Sequence, residues 1–246
     1  MTTVCGAGRP LGRAIALALA EAGADVALTG LTASDEDHFQ VNSAANEVWQ
    51  LGRRNLALQV DLTDAAAVEA AVSRVDDEWG RIDVLVNAQD LVFAMPFDET
   101  GLDEWDDTLA ANLTSVALTC QAVGRDMLRA GYGRIINVVS VAGERGVMNM
   151  GAYSAANGGV LALTRTLATE WARTGVTVNA VQVGWYEDQA GIGDDPAHVE
   201  TLTKILPARA LVTNDEVTGA VVMLASDSGY FTGQSVAIDG AATSRI

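Results

Sequence analysis

Three observations in the amino-acid sequence predict the α/β class, with a doubly wound parallel sheet of about seven strands flanked by helices. Short runs rich in Val, Ile and Leu alternate with helix-length amphipathic segments, the pattern of strands buried on both faces. A glycine-rich turn, Gly6-Ala7-Gly8-Arg9-Pro10-Leu11-Gly12, separates the first such run from the first helical segment. No internal repeat and no Pro/Gly/Ser-rich linker divides the chain, so its 246 residues read as one domain, 1–246.

In chain order the apolar runs place strands at 2–5, 25–29, 56–60, 84–87, 134–139, 177–182 and 235–238. Apolar residues three and four apart place helices at 11–21, 43–51, 65–79, 102–129, 151–173 and 215–225. Asp64 and Asn214 are the expected N-caps, because their short side chains accept from first-turn amides. The segment 32–40, TASDEDHFQ, fits this rhythm poorly and reads as a solvated acidic loop, with an interaction surface as the alternative. Parallel strands joined by helices require right-handed crossovers.

Composition narrows the function. Hydrophobic residues make up 49% and charged residues 19%, with 4 prolines, which excludes a disordered or low-complexity chain. Acidic residues outnumber basic ones 32 to 15, and the resulting charge of −17 repels phosphate backbones and anionic lipid. Neither nucleic acid nor a membrane surface is an expected partner. No basic-then-apolar leader opens the chain, and no apolar run reaches the ~20 residues of a membrane span. A cytoplasmic location is the expectation. Cys5 and Cys120 make no disulfide framework; Cys5 is expected to be buried, with a reactive thiol as the alternative. His38 and His198 lack metal-ligand spacing and read as surface residues, so no metal is expected. Lys204 is the one lysine in the chain.

At a strand-to-helix junction, a glycine turn lets backbone amides and the helix N-terminus approach a pyrophosphate. The alternative is a tight turn without a ligand. Further along, Asp61 follows the third strand, Asn112 sits in a long helix, Ser140 ends a strand, and Tyr153 opens a helix 13 residues later.

With these residues, and with Ile82-Asp83-Val84-Leu85-Val86-Asn87, Gly133-Arg134-Ile135-Ile136-Asn137, Val178-Asn179-Ala180-Val181, Leu224-Ala225-Ser226-Asp227 and Thr232-Gly233-Gln234, the chain resembles the short-chain dehydrogenase/reductase family nearly end to end. It is most similar to the bacterial 3-oxoacyl reductase type. The resemblance implies a Rossmann-like domain, an NAD or NADP cofactor, and hydride transfer between an alcohol and a ketone. It implies a site of Ser140, Tyr153 and Asn112, in which the Tyr hydroxyl exchanges a proton with the substrate oxygen and the Ser hydroxyl bonds that oxygen. A Lys four residues after the Tyr holds the nicotinamide ribose in the family, and the Asn anchors a water relay to it. Gly6, Gly8, Leu11, Gly12, Asp61, Asn87 and Gly184 fall at the family's cofactor-binding positions.

The sequence departs from the family around that one ligand. Asn157 stands at the Lys position, and an amide supplies no charge. Without a cation the Tyr153 phenol keeps its proton at neutral pH, since an unperturbed tyrosine titrates near ~10. That handicaps alcohol oxidation more than ketone reduction. Cys5 replaces a Thr, Pro10 a Gly, Gln89 a Gly and Val183 a Pro, and Pro10 removes an amide from the turn. Gly30 and Leu31 occupy the places that distinguish NAD from NADP, so no preference is legible. The resemblance places Trp185, Met148 and Met150 at the substrate pocket, with a buried or subunit contact as the alternative. It places Gly193-Asp194-Asp195-Pro196 in the variable lid region, where a solvated acidic loop is the expectation.

The expected function is a subunit of an alcohol/ketone oxidoreductase, itself impaired in cofactor binding and catalysis. It would serve as the non-catalytic partner of an active homologue in a mixed tetramer, with a small-molecule or acyl-CoA substrate. Paired active and inactive subunits occur in the family, in a dehydrogenase of an aromatic hydroxyacyl-CoA for example. Family tetramers form through the long central helices and the last strand, whose apolar faces persist here at 102–129, 151–173 and 235–240. The alternatives are a working NAD(P)-dependent reductase with Asn157 in place of the Lys, and a nicotinamide-independent Ser/Tyr lyase resembling halohydrin dehalogenases. The dehalogenases carry Arg where this chain has Asn157.

Overall fold

The computed structural model describes residues 1–189, 196–226 and 229–244. Seven parallel strands form one sheet: β1 (Thr2–Cys5), β2 (Val26–Thr29), β3 (Asn55–Leu58), β4 (Val84–Asn87), β5 (Gly133–Ser140), β6 (Val176–Val183) and β7 (Ser235–Ile238). Their order across the sheet is β3-β2-β1-β4-β5-β6-β7. The chain starts at β1, winds outward to β3, then crosses back to β4 beside β1. That reversal opens a crevice beyond the carboxyl ends of β1 and β4, where open α/β sheets bind ligands.

Alternation along each strand feeds two cores. On one face Val4, Val26, Leu28, Val86 and Ile136 pack beneath helices α1 (Pro10–Glu21), α2 (Asp35–Gln50) and α9 (Asn214–Ala225). On the other, Cys5, Ala27, Leu85, Ile135 and Val178 pack beneath α3 (Ala65–Trp79), α5 (Ser115–Ala130) and α7 (Gly151–Trp171). Burial of both faces explains why the strands lack a polar side.

Several elements differ from the expectations. Only residues 32–34 of the segment 32–40 lie outside regular structure; 35–40 are helical. Ser34 caps a helix by accepting from the Asp37 amide at 3.2 Å, and Asp35, Glu36 and Asp37 fill its first turn. A hydroxyl cap followed by carboxylates at the positive end of the helix dipole is a start signal, which outweighs the polar character of the stretch. The expected long helix 102–129 divides into α4 (Leu102–Leu109), a π-helical turn (Ala110–Thr114) and α5. Asp64 caps α3 as expected, whereas the cap of α9 is Thr213, and Asn214 is the first helical residue. Thr213 and Glu216 make a reciprocal capping box there, which fixes the start one residue earlier.

Two short helices lay outside the expectations: α6 (Ala142–Arg145) and α8 (Pro196–Ile205). Pro196 thus opens a helix, while Gly193, Asp194 and Asp195, the side chain of His198, and Asp227 lie outside the described residues. His38 is half-buried rather than on the surface, because α2 begins before it. No helix among the described residues is long and apolar enough to cross a membrane.

Candidate active site

The crevice is built from five strand ends. After β1 the chain turns at Gly6, whose φ of +83° and closeness to the backbone of Ala88 both require glycine: a Cβ there would lie 2.6 Å from the Ala88 carbonyl carbon. Gly12 is packed as closely, with a Cβ position 2.7 Å from the Gly6 carbonyl carbon. Pro10 opens α1 and so contributes no amide to the turn. Asp61, after β3, spends one carboxylate oxygen on its own turn, accepting from the Thr63 amide at 2.9 Å and hydroxyl at 2.7 Å.

The end of β4 carries most of the remodelling. Asn87 donates to Asn137 of β5 at 2.9 Å and accepts from Thr119 of α5 at 2.8 Å. Gln89 is buried, and its amide donates to the Ser115 hydroxyl at 3.3 Å. Ser115 itself donates to the Ala111 carbonyl at 2.6 Å, so it serves Gln89 as acceptor. The side chain therefore turns toward α5. Next comes Asp90, whose two carboxylate oxygens accept from the Tyr153 hydroxyl at 2.6 Å and the Tyr186 hydroxyl at 2.9 Å.

Asn112 fixes this segment. Its amide oxygen accepts from the Leu91 amide at 2.9 Å, and its nitrogen donates to the carbonyls of Leu91 and Thr108, each at 3.0 Å. The π-helical turn presents Asn112 to the backbone immediately after Asp90, a placement that π-bulges commonly serve.

Asn157 is equally occupied. Its oxygen accepts from the Ser140 amide at 2.7 Å and its nitrogen donates to the Tyr153 carbonyl at 2.9 Å. It therefore ties the end of β5 to the first turns of α7. The Ser140 hydroxyl accepts from the Ala142 amide at 3.1 Å. Gly184 packs on the backbone of Asp239, where a Cβ would stand 2.9 Å from its Cα.

Electrostatics follow from this arrangement. Burial holds the Asp90 carboxyl above the usual carboxylate range, opposed by the two tyrosine hydroxyls and the Arg9 guanidinium. Burial pushes the Tyr153 hydroxyl well above the ordinary tyrosine value, the Asp90 charge pushes it further, and Ser140 acts in the opposite sense. Tyr186 moves the same way for the same leading reasons. Where the family would place a cation that favours a phenolate, this chain places an anion that favours the phenol. Cys5 is buried as expected, and burial pushes its thiol up to about 12, which leaves it unreactive.

What remains open is small. A cavity of about 20 Å³, room for one water molecule, lies among Arg9, Gln89, Asp90, Tyr153, Asn157 and Tyr186. Of the residues singled out in the sequence, Leu11, Gln89, Ser140, Tyr153, Asn157 and Val183 line it. Gly8 lines a wider depression of about 520 Å³ next to it, with Arg9, Arg13, Asp37 and Asp188. Asn87 and Asn112 point elsewhere. Trp185 and Met148 do not line the cavity, and Met148 is 87% exposed.

Sequence reasoning missed Asp90, Tyr186 and Asp37. The signal for Asp90 was available: a carboxylate directly after the strand beside the crevice. Nothing in the spacing points to Tyr186, which reaches Asp90 from 96 positions away.

The family described as enoyl-(acyl carrier protein) reductase matches residues 6–243. A D-threitol dehydrogenase of Mycolicibacterium smegmatis is 36% identical over 243 residues, covering 98% of this chain and 91% of that protein. A 3-oxoacyl-[acyl-carrier-protein] reductase of Vibrio harveyi is 37% identical over 239 residues, covering 96% and 94%. A solved gluconate 5-dehydrogenase from Burkholderia cenocepacia, in complex with NADP and tartrate, superposes with a TM-score of 0.91 at 31% identity over 100% of this chain and 95% of that one. The chain belongs to the short-chain dehydrogenase/reductase family, whose members are NAD(P)-dependent oxidoreductases.

Proposed function

We propose that this chain is an oxidoreductase-family subunit that is itself impaired in cofactor binding and catalysis, and that it acts as the non-catalytic partner of an active homologue in a mixed tetramer. The observation that carries this reading is the commitment of Asn157 and Tyr153. Asn157 bonds two backbone groups and offers no charge, while the Tyr153 hydroxyl is committed as hydrogen-bond donor to Asp90. The residual cavity beside Tyr153, about 20 Å³, has room for a water molecule and not for a nicotinamide ring. Asn112, given a water-relay role by the resemblance, here holds the backbone that carries Asp90.

The substrate of the assembly would be a small alcohol or ketone, or an acyl-CoA, turned over by the partner. Native mass spectrometry of the chain purified from its own host tests this. The expected result is a tetramer containing a second family member with an intact Tyr-x-x-x-Lys, and dehydrogenase activity that follows that member. A homotetramer of this chain that reduces a ketone with NADH or NADPH would contradict it.

One observation favours a second reading, a working reductase. Ser140 and Tyr153 both line the cavity, and Tyr153 keeps the proton that ketone reduction consumes. The lyase reading finds no support, because the Asp90 carboxylate beside Tyr153 repels a departing anion.

A further inference from the structure

We propose that the surface formed by α4 and the turn before it, residues 97–107, docks a basic face of a different subunit and disfavours a second copy of this chain. This rests on the reading that the chain works in a mixed tetramer, and it names the surface that selects the partner and the charge the partner carries.

In α4 the apolar residues Leu102, Trp105 and Leu109 recur at helical spacing and give the helix an apolar stripe. The single chain covers that stripe only in part. Thr108 is the one buried residue of α4, Leu102 is 71% exposed, and Trp105 and Leu109 are half-buried. Phe97, 67% exposed, extends the stripe by meeting Trp105 edge to face, with ring centroids 6.1 Å apart. The segment is fixed to the start of α7. A Cβ on Gly151 would lie 2.7 Å from the Phe97 Cδ2, and the Met95 amide donates to the Asn149 carbonyl at 2.6 Å. The exposed Met148 directly precedes Asn149 and so belongs to the same patch. Large apolar side chains gathered at one place on the surface mark a contact with another chain.

Charge decides which chain that surface accepts. Asp98, Glu99, Asp103, Glu104, Asp106 and Asp107 flank the stripe and are all exposed. No Lys, Arg or His occurs in the sequence between Arg81 and Arg125. Among the described residues none of the six carboxylates forms an ion pair. A two-fold contact sets a patch against itself, so a second copy meeting here would face these carboxylates with the same carboxylates. Like charges opposed across an interface reject a partner whose apolar contacts would otherwise fit. A subunit with Lys or Arg at the facing positions keeps the apolar contact and pairs the charges. The net charge of −17 acts in the same sense at longer range.

Sedimentation velocity of the purified full chain tests this, with a charge-reversed copy of the same chain as the basic partner. That copy carries Asp103→Lys, Asp106→Lys and Asp107→Lys. At low salt, wild type mixed with the reversed copy is expected to associate at least about tenfold more tightly than wild type with itself. Salt should weaken the mixed pair and strengthen wild-type self-association, because screening removes attraction in one and repulsion in the other. Leu102→Ala in both chains should weaken the mixed pair. If the reversed copy does not fold, Asp103→Asn with Asp106→Asn and Asp107→Asn takes its place, and should self-associate at low salt more tightly than wild type. Glu21→Gln with Asp77→Asn and Glu78→Gln removes the same net charge from α1 and α3, and should leave self-association as in wild type. A mixed pair no tighter than wild type with itself, or one that Leu102→Ala leaves unchanged, would overturn the proposal. So would a control variant that self-associates as tightly as the α4 variant. Purification from the host separates this from the reading on which it rests. A second family member that copurifies equally with wild type and with the reversed chain would overturn the docking face and leave the mixed tetramer standing. No second member with wild type, beside the expected pairing in vitro, would overturn the mixed tetramer and uphold the charge selection.

Discussion

Asn157→Lys, the change that restores the family's Tyr-x-x-x-Lys spacing, is expected to destabilise the chain by about 2–3 kcal/mol and to leave ketone reduction unimproved. In the short-chain dehydrogenase/reductase family a lysine at this place acts on the tyrosine and the ribose. Here the position has become a structural joint. Its amide accepts from the Ser140 backbone and donates to the Tyr153 carbonyl, and a lysine replaces neither bond with the same geometry. The new ammonium would also share its cavity with Asp90 and pair with that carboxylate before any phenolate forms. Differential scanning calorimetry beside a reductase assay checks both halves of this result. Asn157→Ala provides the control that removes the bonds without adding charge. A lysine variant as stable as wild type and active on a ketone would show that the asparagine is a simple loss.

The second large effect concerns the two tyrosines. Tyr153→Phe with Tyr186→Phe strips both hydroxyl donors from Asp90, and at neutral pH the pair should cost about 3–5 kcal/mol, because hydrogen bonds to an ionised group are the strong ones. The cost should depend on pH in a definite sense. Burial already holds Asp90 above its unfolded value, so its contribution to stability is complete below the ordinary carboxylate range and declines as pH rises through the raised folded value. Removing the tyrosine donors raises the folded value further. The penalty of the double variant, measured against wild type by urea unfolding, should therefore be largest near neutrality and shrink as the pH falls toward ~4. A penalty constant across that span would mean that Asp90 is uncharged in the wild-type protein at neutral pH.

Much of the fold was legible because burial on both faces of a parallel sheet leaves an unambiguous trace. The apolar runs at β1, β4 and β7 match the strands to the residue. The errors fell where local chemistry overrides hydropathy. A cap and three first-turn carboxylates begin α2 inside a segment whose composition says loop. A π-helical turn interrupts what periodicity reads as one helix, since an extra residue in a turn leaves the apolar pattern nearly unchanged.

At the site, the departures from the family at Asn157, Gln89 and Pro10 were visible as residue types, but their consequences were not. Gln89 borders the cavity while its amide is tied to Ser115, and the adjoining Asp90 takes the place beside Tyr153. A carboxylate after a strand says nothing by itself about which hydroxyls it will meet. That depends on Tyr186, brought in from the segment just beyond the carboxyl end of β6 by tertiary folding. Asp37 escaped for the same reason: its close packing against Gly30 follows only from the way α2 folds back on the end of β2.

The central claim, that this member of the family does not itself use a nicotinamide cofactor, is tested most directly by calorimetric titration of the purified chain, alone, with NADH and then NADPH. The account predicts no heat of binding for either up to millimolar concentration. A micromolar dissociation constant for either one would contradict it and return the chain to the working reductases.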